Sequence, residues 1–279
     1  MMKESGPVNF IDDVIQKFPF SQEAVIAIDP DGRRETHHFS HLFARSMGLS
    51  GAMLEQGVRR GDVVMILTGS RIEFVISMLA CFRMGAVALP MNPQLTAADL
   101  AFRVSATNPS LAIGESRYLE NLGSGVPALD MDDLARIFDE DLDQATPAKT
   151  AKLDPGDPAL IVFTSGSTGE PKGVIHPQSY LLGQSTQAEH WLGAAPGDLV
   201  WCTAAPGCPR AIPSSPRGCA GQRPSSWTDA SIPPPGSRSP GARASTCSAR
   251  PRPSTGSWPS GPTWSRSRAC GAWSPPVRP

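Results

Sequence analysis

Ala159-Leu-Ile-Val-Phe163 runs directly into Thr164-Ser-Gly-Ser-Thr-Gly-Glu-Pro-Lys-Gly173. The first part is short, apolar and rich in β-branched residues. With no polar alternation it reads as a buried strand. The second part has the opposite character. Gly166, Gly169 and Gly173 let a backbone approach a ligand with no Cβ in the way. Thr164, Ser165, Ser167 and Thr168 bring hydroxyls, and Lys172 brings a mobile cation. Successive amides in such a turn form an anion nest. The combination suits a polyphosphate. A flexible Ser/Gly linker is the plainer reading, but linkers rarely follow a buried strand or carry Pro-Lys-Gly. Nor is the spacing G-x-x-x-x-G-K-[ST]: Pro171 precedes Lys172 and Gly173 follows it.

Outward from this stretch, strand and helix signals alternate. Residues 24–28 read as a strand, with a turn at 29–32. Ser40 is placed to cap a helix reaching Gln56, with Leu42, Phe43, Met47, Leu49, Met53 and Leu54 as its apolar face and Gly57 as its stop. Residues 62–67 are the next strand. Ser70-Arg-Ile-Glu73 has the form of a capping box opening a helix to Met84, ended by Gly85. A strand at 87–89, a helix capped by Thr96-Ala-Ala-Asp99, and a strand at 110–113 follow. Residues 123–158, rich in Asp, Pro, Gly and Ala, read as a connection. A helix over 178–191 and a strand over 200–203 close the pattern. Such alternation predicts an α/β fold with a parallel, doubly wound sheet.

The chain has 279 residues and a formal net charge of −1, which conceals a split. From Cys208 onward there are ten Arg, no Lys, one Asp and no Glu, so this tail carries +9 and the rest −10. The tail has no Leu, Phe, Met or Tyr. It cannot bury enough apolar surface to offset its ordering entropy, and residues 208–279 are expected to be disordered. Five of the six cysteines lie at Cys202 or later without a CxxC pair, so neither a zinc site nor a thioredoxin-like motif is supported, and no metal ligands are assigned. The apolar stretch over 72–91 is broken by Glu73 and Arg83 and reads as helix, turn and strand, not a membrane span. No signal peptide is evident, which points to the cytoplasm. His37 and His38 read as a solvated face. His176, just past the loop, is balanced between leading into a helix and contacting a ligand. Met47, Met53, Met78 and Met84 read as core filler.

The run Thr-Ser-Gly-Ser-Thr-Gly-Glu-Pro-Lys-Gly closely resembles the phosphate-binding signature of the AMP-forming adenylating enzymes, a superfamily containing acyl-CoA synthetases. The resemblance continues upstream. Gly57-Val-Arg-Arg-Gly-Asp-Val-Val-Met-Ile-Leu67 is similar to the family's first large-domain strand. Arg83-Met-Gly-Ala-Val-Ala-Leu-Pro-Met-Asn-Pro93 is similar to its second, with the Pro-x-Asn-Pro turn. Thr203-Ala-Ala-Pro-Gly207 resembles a segment near the acyl pocket of acetyl and medium-chain acyl-CoA synthetases. The match covers about residues 8–207.

The resemblance implies an acid–CoA ligase that joins a small carboxylic acid, a fatty acid among them, to ATP with Mg2+, then passes the acyl group to coenzyme A. It implies that Thr164, Ser165, Gly166, Ser167, Thr168, Gly169, Glu170, Pro171 and Lys172 hold the β- and γ-phosphates. The family's later elements, including its Tyr-Gly-x-Thr-Glu segment and C-terminal catalytic Lys, have no match in residues 208–279. The catalytic residues are therefore not assigned, and the chain is expected to be an inactive fragment: a partial AMP-binding domain over 1–207 and a tail over 208–279. A shifted reading frame near Cys208 accounts for the tail. Back-translated at one constant offset, residues 216–227 permit Pro-Trp-Leu-Arg-Gly-Ala-Thr-Thr-Val-Val-Met, and residues 245–258 permit a similar apolar run. Two alternatives stay open. One is a non-catalytic nucleotide-binding module. The other, ranked lower, is a nucleic-acid binder acting through the Arg tail, with Ser-Arg-Ser-Arg at 265–268 on RNA phosphates.

Overall fold

In the computed structural model, residues 6–28, 32–123, 125–139, 149–164, 170–190, 200–201 and 218–221 are described. In chain order the elements are α1 (Phe10–Asp13), β1 (Glu23–Ile28), β2 (Arg34–His38), α2 (Phe39–Glu55), β3 (Val63–Leu67), α3 (Ile72–Met84), β4 (Val87–Pro90) and α4 (Ala97–Thr107). Then come β5 (Leu111–Gly114), α5 (Ser116–Leu119), β6 (Ala128–Leu129), α6 (Met131–Asp139), β7 (Pro158–Thr164), β8 (Lys172–Pro177), α7 (Gln178–His190), β9 (Val200–Trp201) and β10 (Gly218–Gly221).

The main sheet has the order β6-β5-β3-β4-β7-β8. Its first five strands run parallel, and β8 pairs antiparallel with β7. Side chains alternate across each strand. In β3, Val64 and Ile66 enter a core with Phe39, Leu49 and Met53 of α2 and Phe74 and Met78 of α3. Met65 and Leu67 point the other way, into a core with Leu89, Leu100 and Ile161. Helices α2 and α3 thus lie on one face and α4 on the other, as a doubly wound sheet requires. At the C-terminal ends of β3 and β5 the backbones close in. A Cβ on Gly114 would lie 2.7 Å from the Leu67 carbonyl oxygen, so no side chain fits there.

Helix ends show where local rules hold and where tertiary contacts replace them. Thr96 and Asp99 form the expected capping box of α4. Gly85 ends α3 with a left-handed φ of 76°. Ser40 does not cap α2, which begins at Phe39 behind His38. Its first amides donate instead to backbone carbonyls of the preceding segment, Phe39 to Gln22 at 3.0 Å and Ser40 to Phe20 at 3.0 Å. The capping box at Ser70 does not form either, because α3 starts at Ile72 with Arg71 before it. The segment 123–158 is more than a connection, since it carries β6 and α6. Asp130 starts α6 by accepting the amides of Asp132 and Asp133 at 2.9 and 3.0 Å, while Leu134 is buried beneath. The acidic residues taken as linker composition are a helix cap. The methionine expectation holds for Met53, Met78 and Met84, all buried.

A second sheet has the order β2-β1-β10-β9. Within residues 208–279 the structure describes Gly218–Gly221 alone, as β10, parallel to β1 and β9. Composition gave no sign of this strand, because Gly, Cys and Ala carry little β-propensity. The expectation of disorder for the rest of the tail falls outside the described residues, as do 29–31 of the first turn, Trp191 and Cys202–Thr203.

An N-terminal strap ties α3 to the approach to β7. Val8 pairs with Leu153, and the Asn9 side-chain Nδ2 donates to Phe82, Arg83 and Ala151 carbonyls at 3.0, 3.2 and 3.0 Å. Asn9 is buried, and its side-chain oxygen accepts the Ile11 amide at 3.0 Å. Truncation to Ala removes all three donations at once, and of the three carbonyls Arg83 keeps the Ala151 amide at 2.8 Å. Asn9→Ala is expected to destabilise the chain by about 2–3 kcal/mol in a urea titration, more than one exposed hydrogen bond contributes.

His37 corrects a further expectation. It is 2% exposed, not solvated, because β2 folds back against α2. Its Nε2 has no hydrogen-bond partner among the described residues and lies 3.6 Å from Glu35 Oε1. Burial lowers its pKa from 6.5, Glu35 opposes the shift, and Arg45 and His41 add to it. The fold therefore keeps His37 neutral at a pH where the unfolded chain already binds a proton. Stability is full above about pH 6.5 and is lost as pH falls through the lower, folded value. His37→Gln is expected to flatten this acid-side loss, read from urea midpoints between about pH 7.5 and 5.

Candidate functional site

The five parallel strands of the main sheet end on one edge, at Leu67, Pro90, Gly114, Leu129 and Thr164. In open α/β sheets this edge is where ligands sit. The stretch 164–173 joins the end of β7 to the start of β8, so the glycine-hydroxyl run starts on that edge. From the sequence alone Lys172 is expected in the loop. It is the first residue of β8, paired directly with Thr164. The Thr164 hydroxyl faces the Lys172 carbonyl oxygen at 3.5 Å.

Thr164, Glu170 and Lys172 are exposed, and Pro171 is half-buried. Lys172 makes no ion pair among the described residues, so its ammonium is open to an arriving anion. Ser165, Gly166, Ser167, Thr168 and Gly169 lie outside the described residues. The antiparallel register therefore brings together the two ends of the run, a hydroxyl and a cation separated by seven residues of sequence.

His176 does not join them. It sits four residues along β8 from Lys172, about 13 Å away at strand rise. Its ring lies on Tyr180 of α7, with centroids 4.3 Å apart. Burial alone lowers its pKa. That favours its role in leading the chain into α7 over ligand contact.

Several residues at this edge gave no sequence signal. Thr68 follows β3, is fully buried, and its hydroxyl has no partner among the described residues. Beside it the Gly69 amide donates to Glu115 Oε1 at 3.2 Å, and Glu115 is ion-paired with Arg117 at 2.7 Å. Single residues in short loops carry no periodicity, so only the sheet reveals their proximity. Phe163, the last apolar residue before the run, is half-buried. It lies under the Arg103 guanidinium of α4, 5.0 Å from ring centroid to Cζ. An i, i+4 pattern marks Arg103 only as a partner of Asp99. Among the described residues there is no cluster of three or more His, Cys, Asp or Glu able to hold a metal ion, and no helix is long and apolar enough to cross a membrane.

This hairpin, set at the strand-end edge of a doubly wound sheet, agrees with what comparison finds. The AMP-binding enzyme family matches over residues 11–208, and the chain belongs to that family. It is 28% identical over 196 residues to the uncharacterized acyl–CoA ligase YtcI of Bacillus subtilis, covering 66% of this chain and 36% of that protein. It is 34% identical over 179 residues to the 4-chlorobenzoate–CoA ligase of an Arthrobacter species, covering 59% and 33%. The fold resembles the acyl-CoA synthetase of Brucella canis, with a TM-score of 0.68 at 20% identity over 78% of this chain and 44% of that one. A benzoate CoA ligase from Burkholderia xenovorans gives 0.65 at 20% identity, over 77% and 46%. The chain thus spans about a third of the length of these curated relatives.

Because Lys172 is exposed and unpaired among the described residues, it contributes little to folding. Lys172→Ala is expected to leave the unfolding midpoint within about 0.5 kcal/mol of the parent. A larger loss in a urea titration would mean that Lys172 is structural.

Proposed function

We propose that this chain is the amino-terminal portion of an adenylate-forming acid–CoA ligase whose 164–172 hairpin tip holds the β- and γ-phosphates of Mg-ATP. The single observation that supports this most is the pairing of Thr164 with Lys172 at the strand-end edge, in a chain of the AMP-binding family. In the reaction, a carboxylate oxygen attacks the α-phosphate, forming an acyl-adenylate and releasing pyrophosphate. The thiol of coenzyme A then displaces AMP. Mg2+ enters with the nucleotide as part of the substrate. This chemistry needs positioning and charge neutralisation more than covalent help from the protein. Lys172 offers a cation to the departing pyrophosphate, and Ser165, Ser167 and Thr168 offer hydroxyl donors. The acid is a small carboxylate of the fatty-acid kind, and these water-soluble reactants go with a cytoplasmic setting. Residues 1–207 form the ligase-derived domain. Residues 208–279 are an out-of-frame tail, and the chain binds nucleotide without turning it over.

Calorimetric titration of the 279-residue chain with Mg-ATP tests the loop. Binding is expected, and Lys172→Ala should weaken it by about 10- to 100-fold, the weight of one charged hydrogen bond. No heat of binding from the parent chain overturns the reading.

A second experiment tests the frame. Sequencing the coding DNA around codon 208 and inserting one base there should extend the open frame past residue 279. The extended product should exchange pyrophosphate into ATP when given a fatty acid and magnesium, while the original chain does not. An early stop codon in the corrected frame, or acyl-CoA made by the original chain, overturns this part.

A further inference from the structure

We propose that Arg103 is a positioning residue for the hairpin tip, acting through the ring of Phe163. The inference rests on the reading that this tip holds a polyphosphate. Arg103 belongs to α4, not to the hairpin, and its side chain is 9% exposed. Burying a guanidinium needs a local reason. Its Nη1 donates to the Asp99 carbonyl oxygen at 2.8 Å and lies 3.7 Å from Asp99 Oδ1, while its Nε has no partner among the described residues. The guanidinium also lies over the face of Phe163, 5.0 Å from Cζ to centroid. A planar cation over an aromatic face, with little water between, is an attractive contact.

Phe163 is well placed to transmit that contact. It pairs with Gly173 in the register step next to Thr164 and Lys172. A Cβ on Gly173 would lie 3.4 Å from Phe163 Cζ, so the ring reaches across to the glycine of the neighbouring strand. Phe102 meets the same ring edge-on at 6.4 Å. One side chain thus spans both strands at the root of the turn, and Arg103 presses on it from above. Asp99, held by Thr96 in the α4 capping box, completes the line from helix cap to hairpin.

The test uses hydrogen exchange on the full chain. Arg103→Met keeps the stem and removes the guanidinium. Exchange at the amides of Phe163, Thr164, Lys172 and Gly173 should quicken by about five- to tenfold, the size of one partly desolvated cation–π contact. Val64 and Ala112, in the central strands, should be unchanged. In a Phe163→Leu background the same substitution should add nothing, because the ring carries the coupling. Affinity for inorganic pyrophosphate should fall about threefold or more as the tip loses its preorganisation. Unchanged exchange at the tip, an equal rise at Val64 and Ala112, or unaltered pyrophosphate affinity in a chain that binds it, each overturns the proposal. If the parent chain does not bind pyrophosphate, the phosphate-loop reading fails, and the exchange measurement alone upholds or overturns the coupling.

Discussion

The sheet depends on one constraint: β3 is apolar on both faces. Val64 and Ile66 need cover on one side, Met65 and Leu67 on the other. Its buried amides and carbonyls also need partners, because no water reaches them. Strands β4 and β5 supply these on its two edges, both in parallel. Parallel neighbours can be joined only by long crossovers, and helices are the crossovers that also cover the faces. The layered architecture follows from that requirement. So does the alignment of the strand C-termini along a single edge, which gathers Thr68, Glu115 and Thr164 from distant parts of the chain.

Strand β8 breaks the parallel pattern, and the break matters to the site. Had the run after Phe163 led straight into a helix, Lys172 would have had no defined partner. An antiparallel return fixes it opposite Thr164 by register. It also places Gly173 beside Phe163, whose ring comes within 3.4 Å of where a Cβ on Gly173 would lie. In the strand this glycine serves packing: the aromatic ring covers the gap that a missing side chain leaves in the ladder.

Much of this was legible in the sequence, for reasons that differ by element. The strand-and-loop run at 159–173 carries its own chemistry and could be read alone. Helices α3 and α4 declared their ends through Gly85 and the Thr96–Asp99 box, which are local signals. What escaped was decided at a distance. The start of α2 is satisfied by Gln22 and Phe20 carbonyls, so its apparent cap at Ser40 was idle. His37 looked solvated because its strand is polar, yet α2 buries it. Strand β8 begins Lys-Gly, with no alternation at its start. Helix α6 hid in acidic composition whose use is capping. Arg103 looked like an ordinary i, i+4 partner until the ring of Phe163 came into view.

Stability and the proposed ligand contact fall to different atoms here, and electrostatics explains the division. A cation proposed to meet a polyphosphate has to stay hydrated until a ligand arrives, because burying it unpaired costs several kcal/mol. Lys172 accordingly stands exposed at a strand's first residue, on the rim of a sheet whose centre is fully buried. The buried cation nearby, Arg103, can be tolerated because its charge is spread over a plane that lies against a ring and because Asp99 is close. Two cations near one loop thus have opposite environments. The exposed one is free to meet charge from outside, and the buried one holds in place the strand end from which the loop departs.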